Sequence, residues 1–227
     1  MFEQQPETLH QKVKQLAIQA LQQSNPTAWF DILYSESNGD VTQIPWAKLT
    51  SHPYLQDWLT NHNPQGEGHS ALVIGCGLGD DAEALAKIGY QVTAFDISPT
   101  AVDWCQQRFP DSPVTYVVAD LLALPLQWHQ AFDLVVESRN IQALPLSIRS
   151  TVIESVASVV ANKGSLLVIT RFRDTEAEPD GPPWPLSNSE LAQFEKLGLD
   201  EVSRVVFCEA EQTDIKQLRI EYKKCDR

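Results

Sequence analysis

Apolar residues recur at helical spacing near the start of the chain. Leu9, Val13, Leu16, Ala17, Ala20 and Leu21 fall on one face, with Gln and Lys between them. The pattern predicts an amphipathic helix over residues 7–23, ended by Asn25-Pro26. Residues 27–62 keep no single period. They are rich in aromatics (Trp29, Phe30, Tyr34, Trp46, Tyr54, Trp58) and broken by Gly39, Pro45 and Pro53. The stretch Asn63-Pro64-Gln65-Gly66-Glu67-Gly68 then reads as a linker. We read residues 1–62 as an N-terminal helical cap or lid and residues 63–227 as the main domain.

From Ala71 the pattern alternates. Short apolar runs at 71–74, 91–95, 114–118, 132–136 and 165–170 read as strands, and 80–87, 99–108 and 146–160 as helices. Runs such as LVI, DLVV and LLVIT suit strands covered on both faces. After a helical pattern at 189–196 and Gly198, residues 202–209 and 215–222 read as two long strands joined by a polar turn, 210–214. A parallel crossover needs a dozen or more residues, so this pair is a hairpin. The fold expected is α/β: a doubly wound, mostly parallel seven-stranded sheet with an antiparallel C-terminal hairpin.

The chemistry begins at the end of the first strand. Gly75-Cys76-Gly77-Leu78-Gly79 opens a helix and is followed by Asp80-Asp81. Glycines let the backbone turn tightly and approach a ligand. A pyrophosphate favours a helix start with no competing anion, so the two carboxylates argue for a ligand carrying a cationic group. Asp96 ends the second strand, where a carboxylate can take both hydroxyls of a ribose. Asp120, after the third strand, can accept from an adenine amino group, with Ile97 and Leu121 against the ring. A lone glycine turn is often only a tight connection. Three signals at successive strand ends are more specific, because open α/β sheets bind ligands there.

These residues resemble the class I S-adenosylmethionine-dependent methyltransferases. VIGCGLGDD looks like the family's glycine motif, FDIS its ribose motif, VVADLL its adenine motif and FDLVVES its fourth strand. Within that superfamily, TAWFDILY, IPWAKLTSHPYLQDWL and Gly181-Pro182-Pro183-Trp184-Pro185-Leu186 are similar to the thiopurine S-methyltransferase-like branch, which includes thiol methyltransferases. The resemblance implies a Rossmann-like methyltransferase fold and S-adenosylmethionine as methyl donor, with S-adenosylhomocysteine as product. It places Gly75, Cys76, Gly77, Gly79, Asp96, Ile97, Asp120, Leu121, Glu137, Trp29 and Trp46 around the cofactor.

The acceptor side is read from what surrounds that cofactor. Trp29, Trp46 and Trp184 are either walls of an apolar pocket or ordinary core aromatics. Asn140 follows the fourth strand, and Arg171 and Arg173 the fifth. The two arginines can hold an anionic substrate group or pair with Asp174, Glu176 and Glu178. Asn140 and Arg171 are the candidates for a catalytic contact. A sulfonium is already activated, so alignment and exclusion of water carry most of the catalysis. A thiol, partly ionised at neutral pH, needs no dedicated base.

Composition narrows the classes. Hydrophobic residues make up 43% and charged residues 21%, which excludes a disordered chain. A net charge of −13 opposes nucleic-acid binding. No apolar run approaches the ~20 residues that span a bilayer, and MFEQQPETLHQKVKQL has no basic start before an apolar core. Cys76, Cys105, Cys208 and Cys225 form no CxxC pair, so reduced thiols in a cytoplasmic protein are expected. His10, His52, His62, His69 and His129 show no metal-ligand spacing, and no metal is expected. The reading is a monomeric small-molecule methyltransferase acting on a thiol or other soft nucleophile. The alternatives are O- or N-methylation of a cyclic metabolite, and a non-catalytic module that binds adenosyl ligands.

Overall fold

The apolar runs pair into one sheet built from β1 (Ser70–Ile74), β2 (Gln91–Asp96), β3 (Thr115–Val118), β4 (Phe132–Ser138), β5 (Val160–Phe172), β6 (Leu199–Cys208) and β7 (Lys216–Lys224). The computed structural model describes residues 8–208 and 216–225. Strand order is β3-β2-β1-β4-β5-β7-β6. Neighbours from β3 to β5 are parallel, and β7 runs antiparallel to both β5 and β6. The expected turn at 210–214, with its flanks Glu209 and Ile215, lies outside the described residues.

Side chains alternate across each strand, so the sheet feeds two cores. Leu72 and Ile74 face one layer with Val152, Ile153 and Val156 of α6 (Arg149–Ser158) and Phe194 of α8 (Gln193–Lys196). Ala71 and Val73 face the other. That layer holds Leu85 of α4 (Asp80–Lys87), Val102 of α5 (Pro99–Arg108) and Trp58 of α3 (Pro53–His62). Chain order reverses between β1 and β4, which creates a crevice at their carboxyl ends.

The aromatic segment that showed no period contains two helices, α2 (Ala28–Glu36) and α3. Pro53 opens α3, and the His52 ring accepts the Tyr54 N–H at 3.2 Å. With α1 (Leu9–Gln22), α2 builds a third core from Ala17, Ala20, Trp29, Leu33 and Tyr34, which packs on Leu78 and Ala101. Several boundaries differ from expectation: β6 already begins at Leu199 and β7 runs on to Lys224. Residues 146–148 form a separate 3-10 turn before α6. The 189–196 pattern divides at Ala192 into α7 (Asn188–Leu191) and α8. β5 extends back through the polar Asn162-Lys163-Gly164, because Val160 still pairs with Phe132 beyond a register shift.

Candidate functional site

The loop after β1 turns through three left-handed glycines, Gly75 (φ 55°), Gly77 (φ 54°) and Gly79 (φ 89°). A Cβ at Gly75 would land on the Asn140 amide, and one at Gly79 would lie 2.6 Å from the Tyr116 hydroxyl. Only glycine fits either place. Asp96 closes the turn. Its Oδ2 accepts from Gly77 N and its Oδ1 from Ser98 N, both at 3.0 Å. Burial pushes this carboxyl up to about 6, against the lowering effect of those amides.

Two aromatics of the N-terminal segment lie against the loop. Tyr34 is buried, and its oxygen accepts the Trp46 indole N–H at 2.7 Å. A Cβ on Gly77 would lie 3.3 Å from that hydroxyl and 3.9 Å from the Trp46 ring, so the cradle is made by the missing side chain. Trp46 is 38% exposed, whereas Trp29 is 3% exposed, stacked on Phe30 and in edge contact with Trp46. Trp29 is therefore a core side chain supporting Trp46. Asp31 ties α2 to the start of α5: Ser98 Oγ donates to it at 2.6 Å and Thr100 N at 3.2 Å.

The two carboxylates after the glycines have partners within the protein. Asp80 forms a bidentate pair with Arg108 at 2.9 and 3.0 Å, and Arg108 also donates to Leu78 O. Asp81 accepts from Ser51 Oγ at 2.8 Å and His52 N at 2.7 Å, and burial raises its pKa. Helix starts favour acidic residues whatever binds nearby. Asp80 thus neutralises an arginine, and Asp81 anchors the Ser51–His52 stretch. Cys76 is buried, with its pKa pushed up by the Cys105 thiol beside it and by burial.

Along the sheet, Asp120 Oδ1 accepts from Leu122 N at 2.8 Å, Ile97 is half-buried and Leu121 belongs mainly to the core. Glu137 is completely buried, its pKa raised to about 7 by burial. Asn140 donates to Ile74 O at 2.7 Å and so braces the glycine loop. Trp184 is half-buried, its backbone N–H donated to Gln142 O at 2.7 Å.

The two arginines after β5 part company. Arg173 pairs with Glu190 at 2.8 Å and donates to Pro185 O, so it straps the 181–185 loop rather than facing the crevice. Its ion-pair partner is Glu190, and of the three expected acids Glu176 also feels its charge. Arg171 Nε is buried with no hydrogen-bond partner, and its backbone N–H goes to Gln142 Oε1 at 2.6 Å. His52 is held near pKa 4 by burial and by Arg139. Asp31, Tyr34, His52, Gln142 and Arg149 were not among the site residues expected from sequence. Asp31 and Tyr34 lie in TAWFDILY and His52 in IPWAKLTSHPYLQDWL, so those motifs held a signal; Gln142 and Arg149 lie in neither.

The donor set fits an adenosyl ligand: a glycine cradle, a buried carboxylate at the turn, and apolar flanks at Ile97 and Leu121. Among the described residues, no group of three His, Cys, Asp or Glu side chains could hold a metal ion, and no helix is long and apolar enough to cross a membrane.

A family model described as Thiopurine S-methyltransferase (TPMT) matches residues 40–219. The chain is 28% identical over 177 residues to a probable thiol methyltransferase 2 of Arabidopsis thaliana, covering 75% of each chain. It is 31% identical over 108 residues to a cypemycin N-terminal methyltransferase of Streptomyces sp, covering 48% of this chain and 43% of that one. It thus spans less than half of that relative's length. Its fold is that of the N-methyltransferase NodS from Bradyrhizobium japonicum WM9, solved with S-adenosylhomocysteine (TM-score 0.64, 20% identity, 86% of this chain and 99% of that chain covered).

Proposed function

We propose that this chain, which belongs to the thiopurine S-methyltransferase family and is an S-adenosylmethionine-dependent methyltransferase, methylates the sulfur of a small thiol. The observation that carries the reading is the Asp96 carboxylate, buried against the glycine turn and roofed by Tyr34 and Trp46. When bound, the cofactor supplies a methyl group on an activated sulfonium. In this reading Asp96 takes the ribose hydroxyls, Asp120 the adenine amino group, and the backbone at Gly75, Cys76, Gly77 and Gly79 the amino-acid end. Trp46 excludes water over the site.

The sulfur preference is supported by the family match and by the thiol methyltransferase relative. The acceptor side agrees with it. The guanidinium of Arg171 favours a thiolate over a thiol. Arg171, Asn140 and Trp184 are the acceptor-side residues of this reading, and residues 1–62 its cap and lid. A monomer in the cytoplasm, with no nucleic-acid partner, belongs to the same reading. The unbridged thiols of Cys76 and Cys105 suit that compartment.

Calorimetric titration with S-adenosylhomocysteine on wild type and Asp96→Ala, followed by a panel of thiol, hydroxyl and amine acceptors, tests the proposal. Micromolar binding lost in the variant, with turnover on thiols, is expected. Turnover confined to hydroxyls or amines would remove the sulfur assignment, and no adenosyl binding would remove the site.

A further inference from the structure

Glu137 sits at the end of β4, level with Ile74 of β1 and Val168 of β5, and is 0% exposed. Its Oε1 accepts from Asn140 N at 2.6 Å and from Ile141 N at 2.9 Å, while its Oε2 has no hydrogen-bond partner. A buried carboxylate satisfied on one oxygen only is unfavourable for the fold. It holds the amides at the start of the 3-10 turn Ile141–Ala143.

That turn touches both halves of the crevice. On the cofactor side, the Asn140 side chain donates to Ile74 O at 2.7 Å and to Ser138 O at 3.1 Å, and fills the place of a Gly75 side chain. On the acceptor side, Gln142 Oε1 accepts from Arg171 N at 2.6 Å, and Gln142 O accepts from Trp184 N at 2.7 Å. Arg149 of α6 acts electrostatically on Glu137. Its own donors go to Leu144 O at 3.0 Å and Trp184 O at 3.3 Å, and Glu190 lies 3.3 Å from it. Glu190 also pairs with Arg173. With Glu137 ionised, the buried set of two glutamates and two arginines is neutral. Without that charge it carries one uncompensated positive charge.

We propose that Glu137 is a positioning residue: it sets the 140–143 turn, and so acts through Asn140 on the glycine loop and through Gln142 on Arg171 and Trp184. The placement of the cofactor loop and of the acceptor side is then a single arrangement held by one carboxylate. The acceptor half of this inference rests on the proposed function. The cofactor half needs only S-adenosylhomocysteine binding.

The test is calorimetric titration with S-adenosylhomocysteine at pH 8 on wild type, Glu137→Gln, Asn140→Ala and the double variant, with urea unfolding of each. Glutamine keeps one acceptor oxygen for the Asn140 and Ile141 amides but no charge. We expect each single variant to weaken binding about fivefold to tenfold. The double variant should be no weaker than the worse single, because both act through one contact. Urea unfolding at pH 5 as well as pH 8 gives a readout that mere structural damage does not move: the difference between Glu137→Gln and wild type should shift in the variant's favour as pH rises. Glu137→Asp keeps the charge but is one methylene short of the two amides, and should also weaken binding. It serves in place of Glu137→Gln should the latter not fold. Wild-type affinity in the Glu137 variants, or losses that multiply in the double variant, would overturn the inference. A wild type that binds S-adenosylhomocysteine but methylates no thiol would sink the acceptor assignment and leave this test readable.

Discussion

The carboxyl of Glu137 is raised from an ordinary 4.5 to about 7, so its ionisation opposes folding. The sign follows from linkage. A carboxyl raised in the folded state favours the fold while it is protonated, and that advantage is lost as pH rises through the folded value. At pH 5 Glu137 is protonated in the fold but largely ionised in the unfolded chain. At pH 8 it is ionised in both. At about 1.4 kcal/mol per pH unit, the wild type loses about 2.5 kcal/mol from this group between pH 5 and pH 8. Glu137→Gln has nothing to titrate and loses none of it. Asp96 contributes a loss of the same sign, and His52, lowered to about 4, a gain of the opposite sign over the same window. Both are present in each protein and cancel in the difference. Urea unfolding of the two proteins at pH 5, 6, 7 and 8 reads it. At an m-value of about 2–3 kcal/mol/M, the variant's midpoint should gain about 1 M on the wild type's across the range. A difference that stays constant within about 0.5 kcal/mol, or that narrows as pH rises, would show that Glu137 is not held against its own ionisation.

Asp96→Asn should weaken S-adenosylhomocysteine binding at least about tenfold by calorimetry, because it removes the charge that Gly77 N and Ser98 N both point at. Gly75→Ala should lower stability by about 3 kcal/mol in thermal melts, from its φ of 55° and from displacing Asn140. In Gly75→Ala/Asn140→Ala the loss should fall well short of the sum of the singles. Arg171→Ala should change stability by no more than about 0.5 kcal/mol, since its buried Nε makes no hydrogen bond that would be lost. The same variant should raise KM for an anionic thiol about tenfold and leave S-adenosylhomocysteine affinity unchanged.

The alternation of the central chain was legible because its cause is local. Each strand from β1 to β5 carries an apolar run, and α4 and α5 span the expected 80–87 and 99–108. The cap was less legible. Residues of α2 face Ala17, Ala20 and Ile44, while Leu55 and Trp58 of α3 face Leu85 and Val102. One segment serving two cores shows no single period. The division of 189–196 at Ala192 and the backward extension of β5 have the same origin, in packing partners distant along the chain.

The site was legible where backbone geometry demands a residue type and obscure where a side chain answers a distant partner. Gly75, Gly79 and Asp96 belong to the first kind. Asp31 bonds Ser98, 67 positions away, and Asp81 bonds His52, 29 positions away. Neither separation leaves a mark on a single sequence. The consequence is specific. The helices that begin beside the glycine loop and beside Asp96, α4 and α5, each have a carboxylate contact with the cap at their first turn. The same backbone amides and hydroxyls that position the cap therefore sit close to the groups that face the crevice. Asp31 holds Ser98 Oγ while Asp96 holds Ser98 N. Asp81 follows Asp80, which through Arg108 fixes Leu78 O inside the glycine loop. The Asp-Asp pair answers partners within the protein, Arg108 and the Ser51–His52 stretch. As anchorage, Asp81 holds the Ser51–His52 stretch beside the glycine loop, whose Gly77 lies under Tyr34 and Trp46.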